Sequence, residues 1–263
     1  MILDEVKKVI KQNCKKQGRN ITTGVVVAFL LGTMGTYAKD GIAIENTGNQ
    51  ITIKPEGIGI LEKDRWTNKE FINTQSGNGV KVQGNSIEFD IFNEGIISGN
   101  GSKALSGTGN GIFNDKSAKI RTIFNEGIIS GNGSGTLSGE LVFSGNGVFN
   151  DELAEIGTIF NEGIISGNGS KTPSGTGNGI FNFGEIGTIS NEGIISGKIL
   201  KDGLADASGN GIYNVDKIGI LTNNGIILGD GLEAKVDFQN HNLGIGLING
   251  KEIEILTNSS YLS

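Results

Sequence analysis

The chain has 263 residues, of which 45 are glycine, two proline and one cysteine, with 36% apolar and 6% aromatic residues. Glycine and proline together fall short of a disordered composition, and abundant, regularly placed isoleucine suits a thin extended core better than a spherical one. The net charge of −6 is split: residues 1–38 hold six basic and two acidic residues, and the remainder holds 16 and 26, a net −10. So acidic a body excludes nucleic acid as a partner, because phosphate binding needs a cationic face.

The first 38 residues run from basic to apolar to small. Lys7, Lys8, Lys11, Lys15, Lys16 and Arg19 precede Val25-Val26-Val27-Ala28-Phe29-Leu30-Leu31, and Thr36-Tyr37-Ala38 follows. This order predicts a helical, hydrophobic export signal cleaved between Ala38 and Lys39, with export machinery as its partner. The uncharged run from Ile21 to Ala38 reaches 18 residues, so an uncleaved membrane anchor is the alternative. Cys14 lies before the apolar run, where a lipoprotein acceptor would not be; removal of the leader leaves no cysteine for a disulfide or thiolate metal site. The long charged segment resembles the extended signal peptide region of autotransporters, the type V secreted proteins of Gram-negative bacteria.

Residues 39–87 carry weak forms of a pattern that strengthens later: Gly41-Ile42-Ala43-Ile44, Gly57-Ile58-Gly59-Ile60 and Gly77-Asn78-Gly79-Val80. They are expected to form degenerate first turns or an N-terminal cap.

From residue 88 onward the chain repeats. IFNEGIISGNGS begins at Ile91, Ile123 and Ile159, with diverged copies at Ile189 and Leu221. Between copies falls a second string, Gly-Asn-Gly-Ile-Phe-Asn at 109–114 and 177–182, with variants at 145–150, 209–214 and 244–249. The marker asparagines Asn93, Asn125, Asn161, Asn191, Asn223 and Asn258 are spaced by 32, 36, 30, 32 and 35 residues. All the variation lies in two segments; an 18-residue core, I-x-x-I-x-N-x-G-x-I-x-G plus G-x-G-x-x-N, is constant.

A constant core with two elastic loops is what a stacked coil requires, since strand positions must overlie their counterparts whereas loops leave the stack. The constant segments are short, rich in Ile and Phe and bounded by Gly and Asn, so they read as strands with turns. The fold class is therefore all-β: a single-stranded parallel β-helix (β-solenoid) of three short strands per repeat. A leucine-rich-repeat horseshoe is excluded by the absence of its Leu-x-Leu strands and helices.

Substitution between repeats orients the side chains. Ile91, Ile123, Ile159, Ile189, Leu221 and Leu256 stay aliphatic and should point inward; Phe92, Phe124, Phe160, Ser190, Thr222 and Thr257 tolerate polarity and should point outward. By alternation the marker asparagines return inward, where rungs about 4.8 Å apart let them bond amide to amide as a structural ladder.

Little in the chain points to chemistry. Gly107-Thr108-Gly109-Asn110-Gly111 lacks the lysine-serine pair and strand-to-helix setting of a phosphate loop. Glu94, Glu126, Glu162 and Glu192 should form a column, readable as solvated turn carboxylates or as a cation site, and Asn224 breaks it. The body beyond the leader has two arginines, Arg65 and Arg121, and one histidine, His241, set in a variable segment. No catalytic, cofactor-binding or metal-ligating residue is assigned, and the chain is read as a non-enzyme.

The export leader followed by an Ile/Asn/Gly solenoid resembles, over nearly the whole chain, the passenger region of a β-helical autotransporter. That resemblance implies a secreted or surface-displayed structural and adhesive module, with a carbohydrate-active β-helix enzyme (lyase or hydrolase) as the alternative. It implies location at the cell surface, the outer membrane or outside the cell, with host or bacterial surface ligands as partners. Members of the family end in a membrane barrel, so the chain, ending within the repeat marked by Asn258, reads as an N-terminal fragment. Such a fragment would be periplasmic and prone to self-association through an open strand edge.

Overall fold

The computed structural model describes residues 42–46, 51–54, 59–74, 77–84, 88–101, 109–133, 145–169, 177–199, 209–230, 246–259 and 261–262. They form an all-β parallel solenoid, and among them no helix is long and apolar enough to cross a membrane. The leader with Ala38, Lys39 and Cys14, and the loop bearing His241, lie outside the described residues.

Each full coil contributes one strand to each of three sheets of eight, eight and seven strands. In a representative coil, Lys119–Asn125 lies in sheet B, Ile128–Asn132 in sheet C and Val148–Asn150 in sheet A. Successive coils pair in parallel and in register, so that Ile123 lies beside Ile159, Asn125 beside Asn161 and Ser130 beside Ser166. Gly127 shows why the turn between sheets B and C needs glycine: a Cβ there would stand 2.0 Å from the Gly95 carbonyl oxygen of the neighbouring coil.

Strict alternation would put Ile120 and Ile123 on opposite faces of one strand, yet both are buried. Two consecutive outward residues, Arg121 and Thr122, bend the strand and return the second isoleucine to the core. Later coils place Gly157, Gly187 and Gly219 at this bend, where a Cβ would lie 2.6 Å from the carbonyl oxygen of the preceding rung. The Phe89–Asn93 strand lacks the bend: its register slips against Ile120 and Thr122, and Phe89 fills the place of Ile120. The I-x-x-I spacing thus encodes a corner within sheet B.

The N-terminal end, within residues 39–87, departs from the parallel pairing of the repeats. Ile51–Lys54 pairs antiparallel with Ile42–Asn46 at the end of sheet A, and Ile60–Glu62 pairs antiparallel with Arg65–Asn68 at the end of sheet B. Trp66 occupies the rung position of Ile91, is fully buried and closes the core column with one large side chain. Gly59, at φ +73°, lets the backbone lie against the Trp66 indole.

At the other end an aliphatic position of the core column lies open. Leu256 is in register with the buried Leu221 but is 50% exposed, because Glu252–Asn258 is the edge strand of sheet B and no described rung covers it.

Candidate functional site

Inside the coil, the marker asparagines form one hydrogen-bonded column. Asn93 Nδ2 donates to Asn125 Oδ1 at 2.8 Å, and the same contact links Asn125 to Asn161, Asn161 to Asn191, Asn191 to Asn223 and Asn223 to Asn258 at 2.7–2.8 Å. Asn68 extends the column by one rung, donating to Asn93 at 2.9 Å. The second amide hydrogen of each inner member turns to a strand carbonyl, such as that of Ile164 at 3.1 Å from Asn125. These buried amides are therefore satisfied along the axis and across it.

Three further asparagine columns were missed by the sequence reading. Asn114, Asn150, Asn182, Asn214 and Asn249, which close the second repeated string, are linked at 2.7–2.8 Å. Asn78, Asn110, Asn146, Asn178 and Asn210 stack at 3.0–3.1 Å, each Oδ1 also accepting the backbone N–H of the next. Asn73, Asn100, Asn132 and Asn168 form the fourth, at 2.7–3.1 Å. For the first two the signal was available, since their asparagines recur from string to string; the fourth column stops where Lys198 and Asp230 take the place of Asn168.

Outside the coil, two aromatic columns run along the axis. On sheet A, Phe113, Phe149, Phe181 and Tyr213 stack at centroid distances of 5.1–5.4 Å, but Phe149 and Phe181 are buried. On sheet B, Phe92 and Phe124 stack at 5.2 Å and Phe160 follows at 6.4 Å; Phe160 is 42% exposed. The open aromatic face is thus that of sheet B.

Beside this face runs the turn column Lys69, Glu94, Glu126, Glu162, Glu192, Asn224 and Ser259; from Glu94 onward each backbone N–H donates to the asparagine carbonyl of the column one rung before. Its ends are paired: Lys69 Nζ lies 3.2 Å from Glu94, and Ser259 Oγ lies 2.6 Å from Asn224 Oδ1. Glu126, Glu162 and Glu192 are exposed and have no ion-pair partner among the described residues. Between the two columns lies an open groove of about 410 Å³, lined by Phe92, Thr122, Phe124, Phe160, Asn161, Glu162, Ser190 and Glu192. Among the described residues, no group of three or more His, Cys, Asp or Glu side chains is arranged to hold a metal ion.

The N-terminal end of the same face carries a cluster of charges. Arg121 binds Asp90 through Nε at 2.9 Å and Nη2 at 2.6 Å, and Nη2 also reaches Asp64 at 2.7 Å. The hydrogen bonds it donates to Asp90 and then Asp64 hold the guanidinium proton more tightly than usual, and the bond from Arg121 pulls the Asp64 carboxyl below its ordinary range. Arg65, on the neighbouring strand, stands 4.5 Å from the Phe92 ring centre. The cluster ties the antiparallel hairpin to the second parallel rung above it.

No family model, curated protein or solved structure matches the chain.

Proposed function

We propose that the chain is a structural and adhesive module, the β-helical passenger of an exported surface protein of the autotransporter type. In this reading the coil is a scaffold and the outer face of sheet B makes the contacts. One observation carries it: from Ile120 onward the strands keep register from coil to coil while variation falls in loop length, and the outer Phe and Glu positions recur over several coils instead of being confined to one. A catalytic site would be expected to single out one coil with polar residues that the others lack. The reading therefore includes no hydrolase or lyase activity. The basic-apolar-small order of residues 1–38 supports export, with the body at the cell surface, in the outer membrane or outside the cell, or in the periplasm where no barrel follows.

The functional test is adhesion. Cells displaying the chain should adhere to a fixed animal-cell layer and to alkylated glass, and the Phe92→Ser, Phe124→Ser, Phe160→Ser triple variant should lose most of that adhesion while reaching the surface at the same level. Unchanged adhesion, or turnover of a polysaccharide abolished by replacing a single acidic residue, would overturn the reading. Export is tested separately by N-terminal sequencing: Lys39 is expected as the first residue, whereas intact Met1 on a membrane-bound form would establish an anchor.

A further inference from the structure

The outer aromatic column changes character at one rung. Phe160 is paired in register with Ser190, so the small side chain leaves a recess walled on one side by the exposed Phe160 ring. Glu162 and Glu192 stand on the adjoining turns and line the same groove. An aromatic face offers negative quadrupole density, and the carboxylates offer full negative charge, so the complementary guest is a cation with apolar character.

The chain itself illustrates that preference at the N-terminal end of the same two columns. There Arg65 is placed over Phe92 and Lys69 on Glu94. Further along, Phe160, Glu126, Glu162 and Glu192 have no such cation among the described residues.

The spacing selects the class of guest. The carboxylates follow one another by a rung, about 4.8 Å, along a line, instead of converging on a point as metal ligands do. Basic side chains on one face of an extended peptide recur every second residue, about 6.7 Å, which is out of step with the rungs. Ammonium groups separated by three methylenes recur at about 5 Å in an extended chain, which keeps step. We propose that the groove binds a linear aliphatic polyamine, with one ammonium in the recess between Glu162 and Glu192, methylenes against Phe160 and the next ammonium toward Glu126. This rests on the reading of the sheet B face as the contact surface and names a ligand class for it. Each exposed ion pair is weak alone, and several on one chain add through their high local concentration.

The test titrates the full chain with spermine, spermidine and 1,4-diaminobutane at low salt by calorimetry. Saturable binding is expected, weakening as amines are removed. Glu162→Gln with Glu192→Gln should weaken spermine binding about tenfold and Phe160→Ser about threefold. Glu152→Gln, at the turn between sheets A and B, should change nothing. Ser190→Lys places a cation in the recess and should abolish binding while the unfolding midpoint holds, which separates occupancy from misfolding. Equal affinity across these variants, or magnesium chloride at equal ionic strength binding with the same dependence on Glu162 and Glu192, would overturn the proposal. Adhesion lost in the triple Phe variant, together with absent polyamine binding, would sink this inference and leave the surface-contact reading standing.

Discussion

An asparagine amide has two donor hydrogens and one carbonyl acceptor, so burying it alone is costly, whereas a column of them is self-satisfying. Asn125 shows the consequence: it accepts from Asn93 and donates to Asn161 Oδ1 and the Ile164 carbonyl. Asn125→Ala should therefore lose roughly 2–4 kcal/mol, because it strands the Asn93 amide and the Asn161 oxygen as well as deleting its own bonds. Asn258→Ala, on the edge strand, should lose about 1 kcal/mol or less, since water can replace its partner. Chemical denaturation of the two variants checks the contrast, and equal losses would mean that the columns do not carry the stability. At this scale the sequence was partly legible. The marker column could be read because its asparagine sits two residues after an invariant aliphatic position. The column through Asn114 and Asn150 follows the same rule in the second string, but the shortness of those strands hid their alternation. Ile120 was kept in the constant core without its reason: a bend made by two outward residues has no signature in a simple period of two.

Among the elements, the antiparallel Ile60–Glu62 and Arg65–Asn68 pair is held by charge as well as by Trp66. The Asp64 carboxyl is lowered chiefly by its hydrogen bond from Arg121. A carboxyl depressed in the folded state stabilises above its unfolded value, near 3.8, and that contribution is lost as pH falls through the folded value. Asp151 acts in the opposite sense: burial raises its carboxyl, so its charged form opposes folding and acidification relieves the cost. Hydrogen exchange of the hairpin should therefore speed up below about pH 4, ahead of the Lys119–Asn125 and Glu155–Asn161 strands. Arg121→Gln should speed it already at neutral pH and flatten the pH response; an unchanged pH profile in that variant would rule out the latch. None of this was visible in the sequence, where Asp64, Asp90 and Arg121 belong to different coils and only register brings them together.

For the molecule as a whole, the two ends differ. The N-terminal end is blunted by antiparallel strands and a buried tryptophan, whereas Glu252–Asn258 presents an edge with Ile255 53% and Leu256 50% exposed. An open parallel edge is a template for pairing, so a polypeptide cut at Ser263 should self-associate in sedimentation, and Ile255→Lys with Leu256→Lys should reduce that. A species that stays monomeric at high concentration would remove the edge argument alone. The repeat made the solenoid legible before any coordinates, because stacking forces a constant core and tolerates variable loops. The groove was not legible. It depends on Phe160 and Ser190 being rung neighbours with different volumes, and on Phe160 being exposed where Phe149 and Phe181 of sheet A are buried.

The claim that an inert coil presents a repeated contact face predicts dependence on the number of contacts. A graded series of displayed chains tests it most directly: Phe160→Ser alone, Phe124→Ser with Phe160→Ser, the triple variant, and additions Ser190→Phe and Thr222→Phe. With surface level and unfolding midpoint held constant, adhesion to alkylated glass should fall stepwise with each ring removed and rise with each ring added. All-or-none loss from one substitution, with no gain from added rings, would contradict the account and place function in a single site.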